Sequence, residues 1–175
     1  MSKSNHIYPS KESVFKMYKY LTTYENTIAA HPGEFDLESK ELQQFLVKQN
    51  IAIKPVSKSK FVKDLARNNY IVYICGDHKT EYDDKAHDLL RHIRNSIGHA
   101  LITKTAANRA CFNLIDKNKN QSITMRGNIE ESLFFALLEQ LIKTKNSGHT
   151  VILFMCIMAY CIWCVSSTVI RRNLS

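Results

Sequence analysis

The chain has 175 residues, with 24 Lys and Arg against 16 Asp and Glu, a formal charge of +8 before histidine is counted. That length fits one domain with a short appendage and can bury a core without disulfides. The positive balance selects anionic partners, RNA, DNA or a lipid surface, and MSKSNHIYPSKES has no apolar segment, which argues against export by a signal peptide.

Residues 1–10 are expected to be disordered, followed by a domain over 11–146. KESVFKMYKYLTTYENTIAA, residues 11–30, has helical periodicity, with Val14, Met17, Tyr18 and Leu21 on one stripe. His31-Pro32-Gly33 stops that helix. Asp36 is the expected N-cap of a second helix, LESKELQQFLVKQN, with Leu42, Phe45 and Leu46 turned inward. Pro55 and two serines break the chain. SKFVKDLARNN restarts a helix through Phe61, Val62 and Leu65, and YIVYIC either continues it or forms a short strand; so short a run fits both periods.

After GDHKTEYDD, the acidic pair Asp83 and Asp84 suits the positive end of a helix dipole. That helix should run to about His99, burying Ala86, Leu89, Leu90, Ile93, Ile97 and Leu101. RACFNLID and QSITMRG flank the polar KNKN and read as a hairpin. Asp116 to Gly127 has the opening spacing of an EF-hand loop but lacks its sixth-position glycine and twelfth-position glutamate, so a turn is expected there. Asn128-Ile-Glu-Glu131 resembles a capping box, and the helix after it carries Leu133, Leu137, Leu138, Leu141 and Ile142 on one side.

From Thr150 to Ile170 the chain has no charged residue. As a helix this run would span roughly 30 Å, the hydrocarbon thickness of a bilayer. A transmembrane helix over 150–170 is the expectation, with 171–175 as a basic tail and the domain on the cytoplasmic face; a last core helix would instead leave the protein soluble in the cytoplasm. Of the five cysteines, Cys161 and Cys164 form a CxxC inside this run, read as packing rather than a redox centre. Free thiols in a reducing compartment are expected.

LLRHIRNSIGHALI, Leu89 to Ile102, is where the chemistry concentrates. Arg94 precedes His99 by five positions at the end of an amphipathic helix, with the amide Asn95 directly after the arginine. With these residues the stretch resembles the core helix of the HEPN superfamily (higher eukaryotes and prokaryotes nucleotide-binding). There an arginine, usually followed by a polar residue, precedes a histidine by four to six positions. The likeness extends over about residues 10 to 145, to a plasmid- and defence-associated branch of that superfamily.

The resemblance implies an all-α fold: a HEPN-like helical bundle with a small β-hairpin insertion, here followed by the C-terminal hydrophobic helix. It implies a homodimer in which two motif helices face each other and build one composite ribonuclease site from Arg94 and His99 of each copy. The chemistry is consistent. Imidazole exchanges protons near neutrality, and a guanidinium supplies fixed-charge donors to a phosphorane. No metal or cofactor is needed, and DNA lacks the attacking 2′-OH. Asn95 lies on the face of His99 and could orient it or contact substrate, or merely cap or solvate the helix end. His92 is read as a partly exposed residue outside the catalytic set, and His87 and Arg91 as surface or interface residues. Gly98 either ends the helix or admits a partner helix. The expected function is a metal-independent endoribonuclease acting on RNA as a toxin or anti-phage effector, with an antitoxin among its partners. Two alternatives use the same residues: a non-catalytic nucleotide- or RNA-binding module, working beside a nucleotidyltransferase, or a membrane-attached dimerisation module.

Overall fold

A computed structural model of the chain describes residues 6–58, 69–76, 84–105 and 110–145. These belong to a unit that runs from Met1 to Lys145; a second unit covers Asn146–Ser175. The expected helix through Phe61, Val62 and Leu65 falls outside the described residues, as do Asp83, the CxxC, the run 150–170 and the tail 171–175. Among the described residues no helix is long and apolar enough to cross a membrane, so the expected transmembrane helix has no support there.

The fold is not all-α. In chain order the elements are β1 (His6–Ile7), α1 (Lys11–Thr23), a π-helical turn (Tyr24–Ile28), α2 (Lys40–Lys48), β2 (Ala52–Val56), β3 (Tyr70–Ile74), α3 (Lys85–Gly98), β4 (Ile102–Thr105), β5 (Cys111–Lys117), β6 (Ile123–Glu130) and α4 (Glu131–Lys143). The strands form one six-stranded sheet in the order β1-β4-β5-β6-β3-β2, antiparallel except for β2 beside β3. The hairpin expected as a small insertion is the centre of this sheet. Its inward positions explain why. Phe112 pairs with Ile129 and Asp116 with Met125, and β3 adds Ile71 and Tyr73 in register with Gly127 and Met125. Such an apolar face needs flanking strands and a helical cover, and YIVYI and the short run after His99 supply the strands.

Two helices cover that face. Phe134 of α4 meets Phe112 edge-on at 5.6 Å between ring centroids. From α3, His92 reaches Asp116. Leu89, Leu90 and Ile93 are fully buried between α3 and the sheet. Helix α1 packs on α3, where the Tyr20 hydroxyl donates to the Leu90 carbonyl at 3.0 Å. Within the stretch expected to be disordered, His6 and Ile7 pair with β4, and Ser10 caps α1 by accepting from the Ser13 amide.

Several boundaries differ from the sequence expectation. The buried side of α1 carries Ser13, Met17 and Tyr20, whereas Val14 and Tyr18 are 52% and 63% exposed. α2 starts after Ser39, and Asp36 instead closes a turn by accepting from the Glu38 amide. Asn128 lies within β6 and donates to Asn113, so α4 begins after Glu130 with no capping box.

Candidate active site

Helix α3 presents the motif, and its ends are well determined. The Asp84 carboxylate accepts from the His87 amide at 2.8 Å, so the expected acidic N-terminus is a true cap. At the other end the Ala100 amide donates to Ile97 and the Leu101 amide to Ser96, the paired bonds of a Schellman motif. The residue that turns left-handed is Ala100, with φ 54°, where glycine is usual. His99 is thereby the C-cap residue, and it is exposed. Its imidazole forms no hydrogen bond with any described residue.

Arg94 stands one turn and a half earlier. Its Nε and Nη2 both contact Oε1 of Glu25, at 2.8 and 2.6 Å. Glu25 comes from the π-helical turn that ends α1, a segment 69 positions away in sequence. Nη1 of Arg94 donates to Oδ1 of Asn95 at 3.4 Å. A Cβ on Gly98 would lie 3.9 Å from that same Nη1, so the guanidinium folds along the helix toward the turn of His99. Gly98 is the last helical residue, and a Cβ there would meet nothing closer than that Nη1.

Asn95 is not a solvated end residue. Its Nδ2 donates to Oδ2 of Asp116 at 3.3 Å, which turns its Oδ1 toward Arg94. Asp116 is the hub behind the site. Its carboxylate also accepts from His92 Nδ1 at 2.7 Å, from the Thr124 hydroxyl at 3.3 Å and from the Lys117 amide at 2.8 Å. Burial alone would push this carboxyl up. The His92 hydrogen bond and charge, helped by Asn95 and the Lys117 amide, overcome that and hold it below the ordinary aspartate range.

His92 corrects the expectation of partial exposure: it is 1% exposed. Its Nε2 lies 2.9 Å from the Ile74 carbonyl while Nδ1 faces Asp116. Asp116 only accepts, so Nδ1 donates to it, and Nε2 also has the Arg91 Nη2 at 3.4 Å. The imidazole thus ties α3 to β3 and β5 at once. Arg91, one turn before Asn95, pairs with Asp88 at 3.0 Å, and Asp88 also accepts from the Gly76 amide.

The structure therefore brings together Arg94, Asn95 and the turn carrying His99, and adds Glu25, His92 and Asp116. Asp116 had a signal in the sequence. It follows Phe112 and Leu114 at the inward phase of a strand, where a carboxylate requires a buried donor. Glu25 had none, since its role depends on how α1 packs against α3.

The sequence profile of the family HEPN pEK499 p136 matches residues 8–147. No curated protein and no solved structure gives a match. The matched segment contains α1, α3 with its Arg94–His99 pair, and the hairpin that supports it, and the chain belongs to the HEPN pEK499 p136 family.

Proposed function

We propose that this protein is a metal-independent endoribonuclease whose site forms between two copies of the chain. The observation that carries the reading is the end of α3 in a member of a HEPN family. There an exposed imidazole without a partner among the described residues follows an arginine whose guanidinium lies along the same turn.

Two copies of His99 divide the proton transfers. One takes the proton from a ribose 2′-OH as its oxygen bonds to the adjacent phosphorus. The other donates a proton to the departing 5′-oxygen as the P–O5′ bond breaks. The products are a 2′,3′-cyclic phosphate and a free 5′-OH, and the two imidazoles end with exchanged protonation. Arg94 faces the charge that builds on the phosphorane oxygens, where a donor gains most in the transition state.

The dimer is supported by the surface beside the motif. A groove of about 240 Å³ lies between α1 and the end of α3, lined by Tyr8, Val14, Met17, Tyr18, Ile97 and Ala100. Val14, Phe15 and Tyr18 are large, exposed apolar side chains on α1, the kind of patch that marks an interaction surface. A second copy seated there would approach the turn of His99. The cellular role that fits is a toxin or anti-phage effector.

The test is cleavage of single-stranded RNA in EDTA by the wild type, Arg94→Ala and His99→Ala. Loss of cleavage in both variants, with 2′,3′-cyclic ends in the wild-type products, is expected. Equal cleavage by all three would remove the assignment, and RNA binding without cleavage by the wild type would favour a binding module.

A further inference from the structure

A guanidinium has five N–H donors, and in Arg94 three of them are assigned. Nε–H and one Nη2–H meet Oε1 of Glu25, at 2.8 and 2.6 Å. One Nη1–H meets Oδ1 of Asn95 at 3.4 Å. Glu25 thus covers the side edge of the planar group, formed by Nε and Nη2. One hydrogen on Nη1 and one on Nη2 remain without a partner among the described residues. The free Nη2 hydrogen lies on the terminal edge of the group, the edge that takes two phosphate oxygens in parallel.

The two partners are themselves held. The Asn95 amide is oriented by Asp116, which accepts only. Glu25 is carried by a π-helical turn, a feature that recurs at functional sites. Its backbone there is pinned by its buried neighbours Tyr24 and Ile28 and by the Ala29 amide donating to the Tyr24 carbonyl at 2.9 Å. The ion pair is half-exposed, and such pairs add little to folding. Its placement matters more for where the guanidinium points.

We propose that Glu25 is a positioning residue: it backs the side edge of Arg94 so that the terminal edge is presented to the scissile phosphate. This rests on the ribonuclease reading and deepens it. Glu25 stays on Arg94 while RNA is bound, so it is neither a gate that phosphate must displace nor a mere surface ion pair.

One series of variants tests this on the full chain, with single-stranded RNA as substrate. Glu25→Ala should lower kcat by about ten- to a hundredfold, the scale of a misplaced catalytic group. KM should not rise, because a negative charge near the phosphate is removed. Since a single oxygen accepts both bonds, Glu25→Gln should restore most of kcat. In an Arg94→Ala background, Glu25→Ala should change nothing further. A rise in kcat on Glu25→Ala would overturn the proposal in favour of a gate. An unchanged kcat, or equal losses in the Ala and Gln variants, would also overturn it. If Arg94→Ala and His99→Ala keep wild-type cleavage, the ribonuclease reading fails by itself.

A second measurement decides the positioning without turnover. In the 15N-labelled chain, a 2′-O-methyl oligoribonucleotide, which lacks the nucleophile, should move the Arg94 Nη signals and leave Nε bonded to Glu25. A displaced Nε signal, or no response from Arg94, would overturn the proposal.

Discussion

Replacing Asp116 by alanine removes one carboxylate and takes the acceptor from four donors at once: His92 Nδ1, the Asn95 amide, the Thr124 hydroxyl and the Lys117 amide. His92 and Asp116 are 1% and 2% exposed, so water cannot take the carboxylate's place without opening the core. Leaving the buried His92 and Thr124 donors unpaired costs about 1–3 kcal/mol each, about 3–5 kcal/mol in all. A domain of this size has only about 5–15 kcal/mol to lose. With a urea slope of about 2 kcal/mol/M, the midpoint should fall by roughly 1.5–2.5 M. The double variant His92→Leu/Asp116→Leu removes both polar partners and should recover most of that loss, because replacing both partners of a buried hydrogen bond by apolar groups can be nearly neutral. The pH dependence has a definite sign. The folded state holds the Asp116 carboxyl below its unfolded value. Its contribution is therefore complete above the unfolded aspartate value, about pH 4, and is lost as pH falls through the lowered native value. Asp116→Ala should lack this acid-labile part. Urea melts followed by circular dichroism, at neutral pH and in steps below pH 5, measure both effects. A single variant within about 1 kcal/mol of wild type would show that the cluster is not the tie between α3 and the sheet.

The glycines give a contrast that a thermal melt reads directly. A Cβ at Gly127 would meet the Tyr70 carbonyl oxygen at 2.9 Å and Leu114 at 3.1 Å, so Gly127→Ala should destabilise by about 1–3 kcal/mol. Gly98→Ala meets nothing closer than 3.9 Å and should stabilise by about 0.5–1 kcal/mol through helix propensity; destabilisation there would contradict the placement of Arg94. If the proposed dimer uses the α1 groove, replacing Val14 or Tyr18 by glutamate should give a monomer in sedimentation and abolish the proposed RNA cleavage. Retention of the dimer by both variants would move the interface elsewhere.

Helices α1 to α4, the central hairpin and the candidate motif stretch can be read from the residues alone, whereas β1, β2 and β4 cannot. Charge-free stripes at helical spacing mark α3 and α4, the acidic residue before α3 is its cap, and the KNKN turn marks a hairpin. Arg94 and Asn95 lie in the last turns of α3 and His99 caps its end, so their nearness is local and needs no fold to establish it. Long periodic segments are legible because a helix repeats its own environment. What the periodicity could not decide was where short apolar runs go. YIVYI fits helix and strand equally, and only its pairing with β6 makes it a strand and the fold a mixed one. Periodicity misplaces the exposed side of α1 for a related reason: Val14 and Tyr18 are as apolar as core residues, and which stripe faces inward depends on what α3 offers. The partners of the motif belong wholly to tertiary structure. Glu25 reaches Arg94 across 69 positions, and Asp116 reaches His92 across 24. Hydrogen bonds and ion pairs act over a few ångströms of space, and sequence separation carries no information about them until the chain has packed.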